Sequence, residues 1–443
     1  MKKFIKILVC MCLCLVSIAF VACKKENKID APAINAQVSS NGGSVVRKGD
    51  FLYFANGYES YKDVGKGDLD KSYNLGGLFV TKLNSKGEVD YTDKKQLNNM
   101  TKLSGKLASF EATELFVSGD YMYFTSINTE KDKHGNLQTS HLEIYRINLN
   151  STDCRRVYRS YNDFEDSDGN RTLTINYFEN NGNVYILIND NGSLKRVVCG
   201  GSIGDVIVIK SNVKSLAVGD SNSIFYTTTN EDLYEISRYD IVKDTVKSKL
   251  TFAKNDVVNS LFEVKFNNLY IKASMNGGSE YLYRISFENF DNNVLSLQKL
   301  TATSYTAIYL LENELDGVLL VSSSKVEIAD STSPLDNISL QSNMNASATI
   351  MMVRGGYVYY YLDKTIYRWN YTTDTTETIA TEVENILNYH FDMVDSYIYY
   401  YATTGSNAYL YRLNVADRSP ENVPQVVGRF NDADAPKTEE ENK

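Results

Sequence analysis

The chain alternates short apolar, tyrosine-rich stretches with polar turns. The clearest examples are LFVSGDYMYF (115–124), MMVRGGYVYYY (351–361) and FDMVDSYIYYY (391–401). After a polar loop, each is followed by a second apolar stretch that often reads Leu-Tyr-Arg-Ile, as in EYLYRISF (280–287). Long helical periodicity is absent beyond the first 22 residues, and tyrosine favours strands. The pattern predicts an all-β protein.

The same unit recurs eight times along the chain. The residues just before the tyrosine-rich strands are Asp50, Asp120, Asn183, Ser223, Asn268, Gly317, Gly356 and Ser396. A base period of about 40 residues with four short strands per period is typical of a β-propeller blade. We therefore predict a propeller of about eight four-stranded blades, with a seven-bladed ring or a non-closed all-β array as alternatives.

Closure of such a ring needs a contact between its first and last blades. A strand near Gln37–Ser40 or Ser44–Arg47 is the candidate to complete the blade that ends near Val426. The strand YVYYY (357–361) also bears on the architecture, because its tyrosines follow one another without polar alternation. A strand covered on both sides tolerates this composition, so we expect these rings to lie between blades.

The first residues have the three parts of an export signal. Basic residues at the start precede an apolar run from Ile7 to Phe20, which is short for a membrane-spanning helix. The run ends in FVAC (20–23) and is followed at once by Lys24 and Lys25. Small residues before a cysteine, then an abrupt polar switch, resemble the lipobox of bacterial lipoproteins. This resemblance implies cleavage before Cys23, lipidation (palmitate) of its thiol, and anchoring at the extracytoplasmic face of the cell membrane.

These signals divide the chain into four parts. We predict a signal peptide (1–22), a lipidated cysteine with a flexible tether (23–36), the propeller (37–430) and a disordered acidic tail (431–443). Without residues 1–22 the net charge of −9 falls to −12, because three lysines and no acids are removed. An acidic chain disfavours nucleic-acid binding, so the expected partners are the membrane, through the lipid, and a protein or glycan. Cys154 and Cys199 remain, either as one disulfide or as two lone thiols.

The Gly-Asp-x-x-Tyr-Phe and Leu-Tyr-Arg-Ile-Asn-Leu patterns resemble bacterial propellers of the DUF5050 type. Those are similar to the β-propeller of low-density lipoprotein receptor-related proteins. The resemblance covers residues 45–428 roughly, and the YWTD signature is missing. It implies the fold and transfers no functional site.

Few residues indicate catalysis. The three histidines, His134, His141 and His390, have no metal-ligand spacing, and GGSIG (200–204) lies between two strand-like segments rather than between a strand and a helix. The glycines there predict a hairpin turn. Asp163, Asp166 and Asp168 crowd one loop and are weak calcium candidates, since the loop lacks the glycine and glutamate of an EF-hand. We predict no cofactor and no catalytic residue, and a solvated acidic turn.

Three long connections mark one face of the predicted ring. They are Asn56–Gly77, Ser126–Ser140 and the crossover Tyr161–Arg171. Long loops on a rigid scaffold often carry function. The candidate binding residues in the first two connections are Tyr58, Tyr61, Tyr73, Lys131 and His134. The sequence favours a non-enzymatic binding or scaffolding platform for a protein or glycan. The alternatives are a glycan-active hydrolase or lyase that uses channel carboxylates, and an envelope-assembly factor.

Overall fold

The structure is a computed structural model. It describes residues 31–39, 41–56, 77–85, 87, 100–104, 114–131, 137–151, 153–162, 172–220, 222–265, 267–301, 307–311, 317–322, 325–330, 338–341, 344–345, 347–383, 386–404, 407–417, 419 and 422–429.

The described strands form eight antiparallel sheets, each built from consecutive strands of the chain. The first sheet has five strands and the other seven have four. Blade 1 comprises β1 (Val38–Ser39), β2 (Val45–Lys48), β3 (Phe51–Asn56), β4 (Gly77–Lys82) and β5 (Met100–Ser104). Blade 2 comprises β6 (Phe116–Ser118), β7 (Tyr121–Lys131), β8 (Leu137–Asn148) and β9 (Cys154–Arg159). Blade 3 comprises β10 (Leu173–Asn180), β11 (Asn183–Asp190), β12 (Ser193–Cys199) and β13 (Ile207–Lys210). Blade 4 comprises β14 (Ser215–Val218), β15 (Ser223–Asn230), β16 (Leu233–Asp240) and β17 (Thr245–Thr251).

The second half repeats the same plan. Blade 5 comprises β18 (Val257–Lys265), β19 (Asn268–Ser274), β20 (Glu280–Ser286), the short helix α1 (Phe287–Asp291) and β21 (Gln298–Thr301). Blade 6 comprises β22 (Ala307–Leu310), β23 (Gly317–Val321), β24 (Val326–Asp330) and β25 (Ile338–Gln341). Blade 7 comprises β26 (Thr349–Arg354), β27 (Tyr357–Leu362), β28 (Thr365–Asn370) and β29 (Thr375–Ala380). Blade 8 comprises β30 (Ile386–Val394), β31 (Tyr397–Thr404), β32 (Asn407–Asn414) and β33 (Gln425–Arg429). The predicted eight-bladed propeller is confirmed, and each tyrosine-rich repeat is the second main strand of a blade.

Antiparallel pairing gives the ring two distinct faces. Loops between the second and third main strands, and crossovers to the next blade, emerge on one side, which we call the upper face. Turns between the first and second strands, and between the third and fourth, emerge on the opposite side, the lower face. The first main strands of neighbouring blades contact one another, as β14 contacts β18, so these strands surround the ring axis.

The hydrophobic core is divided among the spaces between blades. Eight buried clusters are present in the described residues, and each joins two successive blades. Tyr359 belongs to the cluster between blades 7 and 8, whereas Tyr360 belongs to the one between blades 6 and 7. Successive side chains of a strand point to opposite faces of its sheet, so one strand packs against both neighbours. The prediction that these tyrosines lie between blades is confirmed.

The predicted mode of ring closure is wrong. Both early strands, β1 and β2, pair within blade 1 and not with blade 8. Blade 8 already has four strands of its own, since β33 supplies the outer one. The ring closes instead through side chains: one cluster joins Phe54 and Leu52 of blade 1 to Tyr401 and Leu410 of blade 8.

Candidate binding face

Two of the three long connections join strands whose ends lie at the upper face. Residues 57–76 join β3 to β4, and residues 160–172 join β9 to β10. The loop prediction for Ser126–Ser140 is wrong over most of its length. Here β7 and β8 pair out to Lys131 and Leu137, because cross-strand hydrogen bonding continues through this polar stretch and builds a long hairpin.

One of the predicted binding residues lies in the described part of the chain. Lys131 is the last residue of β7, at the upper end of the hairpin. Tyr58, Tyr61, Tyr73, His134 and the weak calcium candidates Asp163, Asp166 and Asp168 lie outside the described residues.

A buried carboxylate holds the start of the crossover between blades 2 and 3. Asp190, at the upper end of β11, is 3% exposed. It accepts hydrogen bonds from Ser160 Oγ at 2.8 Å and from Asn162 Nδ2 at 2.7 Å, both on the crossover from blade 2. Tyr158 Oη donates to the same carboxylate, and Lys195 Nζ lies 2.9 Å from Oδ2. We call these five residues the Asp190 cluster. It attaches the crossover of one blade to the strand of the next.

The electrostatics of the cluster favour a charged Asp190. Burial by itself would raise the pKa of this carboxyl, but hydrogen bonds from Tyr158, Lys195, Asn162 and Ser160 outweigh burial and hold the pKa below its ordinary value. Burial, together with the bond to Asp190, raises the pKa of the Tyr158 hydroxyl. An ionised carboxylate with its oxygens engaged is suited to holding a loop and unsuited to donating a proton.

A second buried carboxylate lies close by in blade 2. Glu143 on β8 has a side chain only 2% exposed, and its Oε1 is 2.9 Å from Nη1 of Arg156 and 3.9 Å from Nε of Arg159. The Tyr145 hydroxyl also donates to Glu143. These contacts fix the outer strand β9, which leads directly into the crossover.

Tyr161 is the exposed element of this region. It follows β9, is 82% exposed, and lies with its ring centroid 5.6 Å from the guanidinium carbon of Arg159. A ring held over a guanidinium and open to solvent can stack on a sugar ring or anchor a protein contact. Sequence analysis named Tyr161 only as the boundary of a loop and missed Asp190 and Glu143. The sequence signal for this region was the segment SYNDF (160–164) at the end of a blade. It combines hydrogen-bonding groups with aromatic rings.

Other sequence candidates have structural positions. His141 is buried in β8, with Nδ1 3.3 Å from the carbonyl oxygen of Asn162. His390 lies in β30. The GGSIG segment connects β12 to β13, so the predicted strand-to-strand turn is confirmed. Cys154 and Cys199 are free thiols, half-buried and buried respectively.

Neither a cluster of metal ligands nor a helix suited to span a membrane is present in the described part of the chain. No three His, Cys, Asp or Glu side chains there are grouped so as to hold a metal ion. Among the same residues, no helix has both the length and the apolar character that crossing a bilayer requires.

The chain resembles solved structures only distantly. No protein-family model matches the sequence, and no curated protein matches it. Among solved structures, the β-propeller domain of the trilobed protease from Pyrococcus furiosus is 12% identical with a TM-score of 0.42; the match covers 72% of this chain and 99% of that one. Dipeptidyl peptidase 4 of Porphyromonas gingivalis is 7% identical with a TM-score of 0.49, and the match covers 91% of this chain but 60% of that one. TolB from Acinetobacter baumannii is 10% identical with a TM-score of 0.30, over 68% and 81% of the two chains. At these identities the likeness concerns the fold alone.

Proposed function

We propose that this protein is a lipid-anchored, extracytoplasmic binding platform whose upper face captures a protein or glycan without chemical turnover. The observation that carries the proposal is the Asp190 cluster, which ties the blade 2–3 crossover to a buried carboxylate beside the exposed ring of Tyr161. Rigid support beneath an exposed aromatic residue lowers the entropic cost of binding.

The path of the chain supports this orientation. Gly49 N donates to the carbonyl of Gln37 at 2.9 Å, so the segment that enters β1 lies against the lower-face turn of blade 1. A Cβ atom on Gly49 would lie 3.7 Å from that of Pro32, so the segment follows the lower face at least to this residue. Pro32 follows Cys23 by nine positions, a stretch that spans at most roughly 30 Å. A lipid on Cys23 would therefore keep the lower face near the membrane and direct the upper face away from it.

The charged state of Asp190 supports a structural role for this carboxylate rather than a catalytic one. A glycan-cleaving pair needs one carboxyl group that stays protonated near neutral pH. The carboxyl groups with a shifted pKa in the described residues, Asp190, Asp220 and Asp291, are all shifted downward: burial opposes ionisation in each, and hydrogen bonds and cations outweigh it. These three groups therefore favour holding structure over proton donation.

The proposal is tested with the full-length protein reconstituted in phospholipid vesicles and incubated with surface-labelled cell extract. We expect the wild type to retain a protein or glycan that Tyr161→Ala loses, because the substitution removes the exposed ring. The matched control is Val423→Ala, which changes an exposed apolar residue (61% exposed) beside the lower end of β33.

Shortening the 57–76 connection to a four-residue turn is the second arm. Capture should fall while the thermal unfolding midpoint stays unchanged. Capture that survives both Tyr161→Ala and the shortening would refute the upper-face platform. Release of cleaved glycan from the vesicles would replace it with the hydrolase.

A further inference from the structure

A polar cavity opens on the lower face where the two ends of the ring meet. It has a volume of about 340 Å³. Its walls include Ser39 of β1, Arg47 and Asp50 of blade 1, and Asp395, Ser396 and Tyr397 of blade 8. Because β1 pairs with the axis-side edge of β2, Ser39 places one wall of the cavity on the axis side of the seam.

Two of the lining residues form an ion pair that crosses the seam. Arg47 Nη1 donates to Asp395 Oδ2, and the two side chains are 28% and 43% exposed. Arg47 Nε donates to the carbonyl of Gly49 at 2.8 Å, which holds the guanidinium in place. Ser39 Oγ lies 3.4 Å from Asp395 Oδ1. Charged groups thus line the cavity in fixed positions while remaining open to a ligand.

We propose that this seam cavity binds a neutral polyhydroxylated ligand, a single sugar ring. Carboxylates only accept hydrogen bonds and guanidinium only donates, whereas each sugar hydroxyl does both. Neighbouring hydroxyls of one ring can therefore satisfy Asp50, Asp395 and Arg47 together. Two carboxylates beside one guanidinium leave the cavity lining with a net negative charge, which disfavours phosphate and other anions. The half-buried ring of Tyr397 adds apolar surface of the kind that covers a sugar face.

The size of the cavity limits the ligand. Pockets that enclose small molecules begin at roughly 300 Å³, so this one holds about one ring rather than an extended chain. The ring could belong to a free monosaccharide or to the end of a glycan. The site is on the opposite face from Tyr161 and the Asp190 cluster, so it stands independently of the upper-face platform.

The test is isothermal titration of the full-length protein in detergent with glucose, galactose, N-acetylglucosamine and cellotriose. We expect saturable binding of at least one of the monosaccharides. Asp50→Asn and Asp395→Asn should each weaken it about tenfold, because each replaces an acceptor oxygen with a donor. Asparagine is chosen at position 395 because the backbone there has a φ of 55°, a conformation that asparagine tolerates.

Blade 2 supplies the matched control. Asp120 precedes β7 as Asp50 precedes β3, and the carbonyls of both accept a hydrogen bond from a leucine amide, at 2.9 Å from Leu149 and 2.6 Å from Leu83. Asp120→Asn should leave sugar affinity unchanged, and all variants should keep the wild-type melting temperature.

Sodium phosphate and glycine are titrated in parallel. Binding of either without binding of any sugar would overturn the proposal, as would the absence of saturable sugar binding up to the solubility limit. If Asp120→Asn lost as much sugar affinity as Asp50→Asn, the placement of the sugar site in the seam cavity would also be overturned. If cellotriose binds at least as tightly as glucose, the proposal is supported and the natural ligand is the end of a glycan. If only the monosaccharides bind, the proposal is supported and the natural ligand is a free sugar.

Discussion

Arg412 of blade 8 donates from Nη1 to the carbonyl oxygen of Gly87 in blade 1, at 3.4 Å. The guanidinium also donates from Nε to Gln425 at 3.0 Å and lies 4.6 Å from the ring centroid of Tyr397. Arg412 is therefore buried against its own blade and reaches across the seam that closes the ring.

The same contact recurs around the propeller. Arg146 of blade 2 donates to the carbonyl of Gly200 in blade 3 at 2.9 Å, and Arg368 of blade 7 donates to that of Val415 in blade 8 at 3.4 Å. Each acceptor follows the third main strand of the next blade. In blades 2, 7 and 8 the arginine of the repeat thus links neighbouring blades, which explains why a cation occurs in these otherwise apolar strands.

Replacing Arg412 with methionine should destabilise the fold by about 3 kcal/mol, because the partners of a buried cation lose their hydrogen bonds. The free energy of unfolding is measured by urea titration. Arg155→Met is the control, since that side chain is 67% exposed and its ion pair with Asp153 should contribute less than about 0.5 kcal/mol. Equal effects of the two substitutions would contradict a closing role for Arg412.

Adjacent tyrosines on β31 give a sharper test of the seam. Tyr401 Oη donates to the carbonyl of Ala55 in blade 1 at 2.9 Å, whereas the buried hydroxyl of Tyr400 has no hydrogen-bond partner among the described residues. Tyr401→Phe should lower the free energy of unfolding by about 1 kcal/mol. Tyr400→Phe should leave it unchanged or raise it. The reverse order in urea titrations would show that the Tyr401 contact does not stabilise the ring.

The lowered pKa of Asp190 predicts how the stability of the fold depends on pH. The pKa of Asp190 is lower in the folded state than in the unfolded state. Its contribution to the free energy of unfolding is therefore fully present above the unfolded-state pKa of about 3.9, and it is lost as the pH falls through the folded-state pKa. Asp190→Asn should therefore destabilise the protein at pH 7, and the difference from wild type should shrink below about pH 4. The measurement is the urea midpoint of both proteins over this range. Asp205→Asn, at an exposed position, should show no such dependence; a constant Asp190 difference would contradict the mechanism.

The two thiols should differ in reactivity. Burial raises the pKa of Cys199 to about 11, so at pH 8 only about one molecule in a thousand carries the thiolate. Iodoacetamide should therefore leave Cys199 unmodified in the folded protein and modify it after unfolding in urea, as read by mass spectrometry. Half-buried Cys154 should react sooner. Rapid labelling of native Cys199 would show that blades 2 and 3 open at their interface.

Orientation on the membrane can be measured directly. In a Cys154→Ser background, a fluorophore on Val423→Cys reports the lower face and one on Tyr161→Cys reports the upper face. Quenching by spin-labelled lipid headgroups should be stronger at position 423, because the chain enters at the lower face. Equal quenching at both positions would contradict the proposed orientation.

The repeat pattern was readable because it is local. Each blade encodes its own strands, and the tyrosine-rich repeats begin where β3, β7, β11 and their five equivalents begin. The packing of Tyr359 and Tyr360 against opposite neighbouring blades also followed from the sequence, because apolar and polar residues do not alternate in YVYYY (357–361). The length of the β7–β8 hairpin was not readable, because polar residues beyond Ser126 resemble a loop until a partner strand pairs with them.

The sequence by itself determined the fold class, the repeat period and the order of strands, because these depend on patterns within about 40 residues, but it left seven or eight blades open. The tertiary structure decided how the ring closes and where polar groups converge. Arg47 meets Asp395 across 348 positions, and Tyr158 meets Asp190 across 32. Such contacts exist only once neighbouring blades pack, so no local pattern specifies them.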